Sequence, residues 1–134
     1  MDAINRINSF GWADWSLDSI SIDYDNVQIK IIYPSDSVTR PDVCAVIHCN
    51  NFIGFSFVGH WDENIIESIE VDINGEILSA SLQTIRRIYG NPPIPSLGGG
   101  VKRINNTWYQ LNLKLIDGNT IKVACENFEL KVFE

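Results

Sequence analysis

Five side chains of this sequence could ligate a metal or attack an electrophile: Cys44, His48, Cys49, His60 and Cys125. A zinc site needs three or four such ligands around one point. Cys44 and His48 lie four residues apart in a β-branched run that alternates like a strand. At a rise of about 3.3 Å per residue their Cα atoms stand about 13 Å apart, too far to share an ion. His48 and Cys49 are sequence neighbours, so in a strand they point to opposite faces. The spacing is neither CxxC nor HxxxH. No metal site and no cofactor is expected. A Cys or Ser nucleophile would need a base and an orienting acid beside it. No G-x-S-x-G elbow occurs. His48 reads as a core or half-buried histidine and His60 as a turn residue.

Carboxylates are in excess: 17 Asp plus Glu oppose 10 Lys plus Arg, for a net charge of −7. From Pro41 to Ile85 there is no Lys or Arg, while Asp42, Asp62, Glu63, Glu67, Glu70, Asp72 and Glu76 fall there. The rest of the chain is balanced, so the net charge lies in this central third. In a strand, Glu70 and Asp72 share a face about 7 Å apart. That separation suits paired-carboxylate glycoside chemistry, but any acidic strand provides it. Gly98-Gly99-Gly100 lacks the Lys-Ser/Thr of a phosphate loop. Arg86-Arg87 and Lys102-Arg103 are the only basic pairs, too few for a nucleic-acid groove. An acidic surface also repels phosphate backbones. These features point away from an enzyme and from a nucleic-acid binder. The acidic third reads either as a solvated face that aids solubility or as a docking patch for a basic partner.

The elements that would hold these residues are mostly strands. A length of 134 residues with 45% hydrophobic and 20% charged residues fits one globular domain, 1–134, with a sizeable core. No stretch approaches the roughly 20 apolar residues of a membrane-spanning helix. The N-terminus lacks the basic and apolar regions of a signal peptide. With an odd count of three cysteines, this suggests a reducing cytoplasm and no membrane association.

Residues 2 to 9 read as a short helix, with Ile4 and Ile7 on one face. Trp12 and Trp15 would anchor this segment on the core, with a role as interface anchors as the alternative. Alternation predicts a hairpin of 18–24 and 27–33, turning at Asp25-Asn26. Val43–Cys49 and Phe52–Val58 read as two strands joined by a tight turn at Asn50-Asn51. Ile65–Ile73 is a further strand, with Ile65, Ile69, Val71 and Ile73 in phase. Glu67 shares their parity, which marks a bulge or an edge. Asn74-Gly75 is a strong hairpin signal, with Glu76–Ser79 returning as a strand. Leu82, Ile85 and Ile88 or Tyr89 then fit a helix capped by Ser79 or Ser81 and ended by Gly90, with a continuing strand as the alternative. Pro34–Pro41 and Asn91–Gly100 read as loops. Trp108–Ile116 and the run from Ile121 form a hairpin about Asp117-Gly118, and Phe128 to Phe133 closes the chain. The fold class is therefore β-rich α+β, a large twisted antiparallel sheet built from hairpins with one or two helices covering one face.

Two stretches resemble the immunity proteins of bacterial polymorphic toxin and contact-dependent growth inhibition systems. Trp15-Ser16-Leu17-Asp18-Ser19-Ile20-Ser21-Ile22 is similar to the aromatic-x-x-Asp-Ser-x-x-x-Ile opening of several such families, with Ile22 one residue earlier than the Ile of that pattern and Leu17 where several of them carry His. The run from Tyr109 to Cys125, with Asp117-Gly118 at its turn, looks like their closing hairpin. The resemblance implies inhibition by stoichiometric binding to a cognate toxin domain, often a nuclease with a basic cleft, inside the producing cell. The alternative is a small β-rich ligand-binding or accessory domain with no catalytic activity. On the immunity reading the partner-binding residues are Trp61 beside Asp62, Glu63, Glu67, Glu70, Asp72 and Glu76. Trp61 would be the aromatic anchor and the acids would steer a basic toxin.

Overall fold

The computed structural model describes residues 2–33, 43–57, 64–90, 94–95, 101–103 and 106–133. Helix α1 (Ala3–Ser9) opens the chain, capped by Asp2, whose carboxylate accepts the Asn5 N–H at 2.9 Å. Strands β1 (Ser16–Asp23) and β2 (Asn26–Tyr33) form the first hairpin. They are followed by β3 (Val43–Ser56), β4 (Ile66–Asp72), helix α2 (Glu76–Tyr89), the two-residue strands β5 (Ile94–Pro95) and β6 (Val101–Lys102), then β7 (Tyr109–Leu115) and β8 (Thr120–Phe133). Six strands make one antiparallel sheet in the order β1-β2-β3-β8-β7-β4, and β5 pairs with β6. The β-rich α+β class and the antiparallel sheet read from alternation are both present.

The sheet curls until its two edges meet. Ser16 on β1 bridges Ile65 just before β4. The Ile66 N–H donates to the Trp15 carbonyl at 2.7 Å, and the Leu17 N–H donates to the Asn64 carbonyl at 2.8 Å. The result is a partly closed barrel. Its interior is filled by alternate residues from the strands of the six-stranded sheet, among them Val27, Ile29, Ile31, Ala45, Ile47, Ile69, Val71, Leu111, Leu113, Ile121 and Val123. Ile7 of α1, Trp12 and Trp15 join this cluster, as anchoring tryptophans should. The Trp12 indole N–H donates to the Ile7 carbonyl at 2.9 Å, so the ring is buried without an orphaned donor. Helix α2 packs on the outer surface, where Ile53, Ile77, Leu78, Leu82, Trp108 and Ala124 form a second cluster. The two helices therefore serve opposite faces, where one covered face was expected from the sequence.

Three sequence expectations are corrected. Asn50-Asn51 is not a hairpin turn but the bend within the continuous strand β3. Asn51 takes φ 59°, which Asn tolerates. The pairing stays in register from Asn50–Asn127 to Phe52–Cys125, but the inward-facing set changes parity on both strands at this level. Cys49 and Phe52 thereby reach the same inner cluster, as do Phe128 and Cys125. The Asn51 amide reaches Glu126 at 3.3 Å and the Asn50 amide reaches Asn127 at 2.9 Å, which holds the bend. Next, Asn74-Gly75 is not a hairpin and Glu76–Ser79 is not a strand; both lead into α2, which ends at Gly90 (φ 75°). Neither Ser79 nor Ser81 caps the helix, since both lie inside it. Finally, Ile94–Pro95, inside the Asn91–Gly100 stretch read as loop, pairs as a strand with Val101–Lys102. The Pro34–Pro41 loop lies outside the described residues, as do residues 58–63.

A candidate partner-binding surface

Strand β4 is an edge strand, and its burial pattern explains how the acids are displayed. Ile66, Ile69 and Val71 point inward. The register slips between Ile66 and Ser68, so Glu67 sits on a bulge, as its parity predicts. Beyond the bulge, Glu70 and Asp72 face outward on one strand face and are exposed. Ile65 is not the first inward residue; the bulge gives that position to Ile66. Ile73 was expected in phase with the core, but it is 62% exposed because the strand ends at Asp72.

The acids differ in their surroundings. The Glu67 carboxylate is 3.0 Å from the Lys114 ammonium, both half-exposed. Glu76, in the first turn of α2, pairs with Lys122. Asp72 accepts the Asn74 N–H at 3.2 Å and so shapes the turn into α2. Among the described residues Glu70 has no ion pair, and its cross-strand neighbour is the uncharged Asn112. The segment 41–85 has no base of its own, but β7 and β8 bring Lys114 and Lys122 to it across the sheet. Trp61, Asp62 and Glu63 lie outside the described residues. Of the predicted set the structure thus gathers Glu67, Glu70, Asp72 and Glu76 along β4 and the start of α2.

Two residues that sequence reasoning missed shape this surface. Gln110 is 2% exposed on β7. Its Oε1 accepts the Leu78 N–H at 3.0 Å, and its Nε2 donates to Asn112 Oδ1 at 2.7 Å. It supplies the helix cap that Gly75, with no side chain, cannot. Asn8 seals the free edge of β4: its Oδ1 accepts the Val71 N–H at 2.7 Å and its Nδ2 donates to the Val71 carbonyl at 3.1 Å. No local motif announces either role, because each partner is more than thirty residues away.

Among the described residues no three His, Cys, Asp or Glu side chains gather as metal ligands. Cys44 is half-buried, and Cys49 and Cys125 are buried. Strand spacing was expected to hold the cysteines apart, yet the paired bends bring Cys49 and Cys125 into one inner cluster, where the Cys125 thiol donates to the Asn127 carbonyl at 3.5 Å. Burial pushes the Cys125 thiol well above its ordinary pKa, and the neighbouring Cys49 adds to the rise. An acid whose pKa is raised on folding favours the folded state while it stays protonated. This contribution is complete below the unfolded thiol's pKa, about 9, and is lost as pH rises above it. Denaturant midpoints measured from pH 7 to 10.5 should therefore fall above pH 9, and Cys125→Ala should flatten that fall. A slope unchanged by the substitution would assign the alkaline loss to other groups.

Among the described residues, no helix is long and apolar enough to cross a membrane. Comparison with protein-family models, with curated proteins and with solved structures finds no match.

Proposed function

We propose that this chain is an immunity protein that neutralises a cognate bacterial toxin domain in the cytoplasm by stoichiometric binding through its acidic surface. It acts by occupancy, without catalysis or cofactor, and a nuclease with a basic cleft is the toxin class that suits it. The observation carrying the proposal is the display of Glu70 and Asp72 on one exposed face of β4, beside the first turn of α2. Opposite charge on a partner would steer encounter and set register. Glu67 and Glu76 contribute less, since Lys114 and Lys122 already offset them.

The test is to read the gene upstream for a secreted protein with a variable C-terminal domain, and to follow co-expression and binding kinetics with that domain. The double substitution Glu70→Lys and Asp72→Lys should slow association about tenfold at low salt and by less at high salt. Both side chains are exposed and the bond lost among the described residues is that of Asp72 to the exposed Asn74 N–H, so the fold should be retained. An association rate unchanged at low salt would remove this patch from the mechanism, and a toxin domain that is not inhibited at all would end the immunity reading.

A further inference from the structure

One sheet edge is sealed, and among the described residues the other is open beyond its first turn of pairing. On β4 the N-terminal segment bonds Ile66 and Asn8 bonds Val71. Among the described residues β1 is closed at its start, where Leu17 bonds Asn64 through both backbone groups. Asp23 and Asn26 flank the two-residue turn Tyr24-Asp25 and form the closing hydrogen-bonded pair of the hairpin. Residues two and four away follow the same alternation. Ile22 and Ile20 therefore direct their N–H and C=O groups away from β2. Among the described residues nothing takes up those groups. Beside this edge lies a groove of about 550 Å³ lined by Leu17, Asp18, Ile20, Ile22, Phe55 and Phe57. The Phe55 and Phe57 rings are 5.3 Å apart. Ile22 is 53% exposed, a large apolar side chain on an unprotected edge.

Among the described residues that line the groove the charged side chain is Asp18, and acids dominate the neighbouring chain. Between Arg6 and Lys30 the chain has no Lys or Arg, while Asp14, Asp18, Asp23 and Asp25 all fall there. Among the described residues Lys30 pairs with Asp18, at 3.8 Å. A strand joining this edge would meet two free donor–acceptor pairs, an apolar floor and carboxylates towards both ends.

We propose that the outer edge of β1 takes an extended segment of a protein partner by strand addition, with apolar side chains at alternate positions and Lys or Arg flanking them. Main-chain bonds to Ile20 and Ile22 would give affinity, and the groove and the aspartates would give selectivity. This site lies apart from the acidic face of β4 and does not depend on the partner being a toxin.

A blocked peptide, Lys-Arg-Val-Thr-Ile-Thr-Val-Lys-Arg, is the probe, with its Glu-Asp-flanked counterpart as control. Titration followed by amide NMR should shift residues 17–23 and slow hydrogen exchange at Ile20 and Ile22, with the basic peptide binding at least about tenfold tighter than the acidic one. Ile22→Pro removes an outward N–H that β2 does not use, and should weaken binding about tenfold. Should that variant misfold, the Asp18→Lys and Asp23→Lys pair gives the same answer: a several-fold loss at low salt that shrinks as salt rises. Equal affinity for both peptides, shifts confined to other elements, or binding indifferent to these substitutions would overturn the proposal. A homodimer that Ile22→Pro dissociates would also overturn it, by making a second copy the occupant. None of these results bears on toxin inhibition, which is read separately from Glu70 and Asp72.

Discussion

Gln110→Leu is expected to lower the stability of the protein by about 2–3 kcal/mol, although leucine nearly matches glutamine in volume. Gln110 is buried between β7 and the start of α2 and satisfies two groups at once. Leucine would leave the Leu78 N–H, itself in a buried residue, with no acceptor. It would also take the donor from Asn112 Oδ1. Each such loss in an enclosed place costs about 1–3 kcal/mol. Gln110→Glu separates the two bonds. Its carboxylate keeps an acceptor for the helix N-terminus, where negative charge is favourable, but it cannot donate to Asn112. The glutamate variant should therefore lose less than the leucine variant. Urea denaturation followed by circular dichroism measures both losses, and hydrogen exchange should locate the leucine effect in the first turns of α2. A loss below about 0.5 kcal/mol for Gln110→Leu would mean that solvent reaches the helix start and that Gln110 is not its cap.

The same contact shows where sequence reading stops. Asn-Gly followed by an apolar run is a sound hairpin signal. Here Gln110, distant in sequence, receives the chain after Gly75 and turns it into a helix. A Cβ on Gly75 would lie 2.1 Å from Gln110 Oε1, so this glycine is needed for close approach and not for an unusual φ. Asn50-Asn51 misleads in a similar way. Asn at φ 59° suits a tight turn, but the Asn51 N–H is held by Asn26 at 3.2 Å and its amide by Glu126, both from other strands. Signals whose cause is local were legible: the Asp117-Gly118 turn with Gly118 at φ 94°, the hairpin of β1 and β2, the Glu67 bulge, and Gly90 at the end of α2. The pairing of β3 with β8 was not, because nothing in a single strand's alternation names its neighbour. For the same reason the sequence displays the acids but hides the two lysines that offset them.

The packing of α2 on β3 leads to the second large effect. Gly54 faces the helix, and a Cβ built there would stand 2.2 Å from Ser81 Oγ and 2.9 Å from Ile77 Cγ2. The serine hydroxyl can rotate away. Ile77 has less freedom, since it packs against the cluster of Leu78, Trp108 and Ala124. Gly54→Ala should therefore force the helix outward and cost about 1–3 kcal/mol, and Gly54→Val should cost more. Ser81→Ala removes the nearest atom and leaves the Ser81 Cβ position at 3.3 Å. In the Gly54→Ala background it should return at least about 0.5 kcal/mol, a coupling that a double-mutant cycle in urea resolves. The damage should also be local. Gly54 looks onto α2, whereas Val27, Ile29 and Ile47 line the barrel interior. Amide shifts should therefore move along α2 and around Trp108 while those three stay in place. Zero coupling between positions 54 and 81, or shifts spread through the barrel, would show that the strand yields in place of the helix.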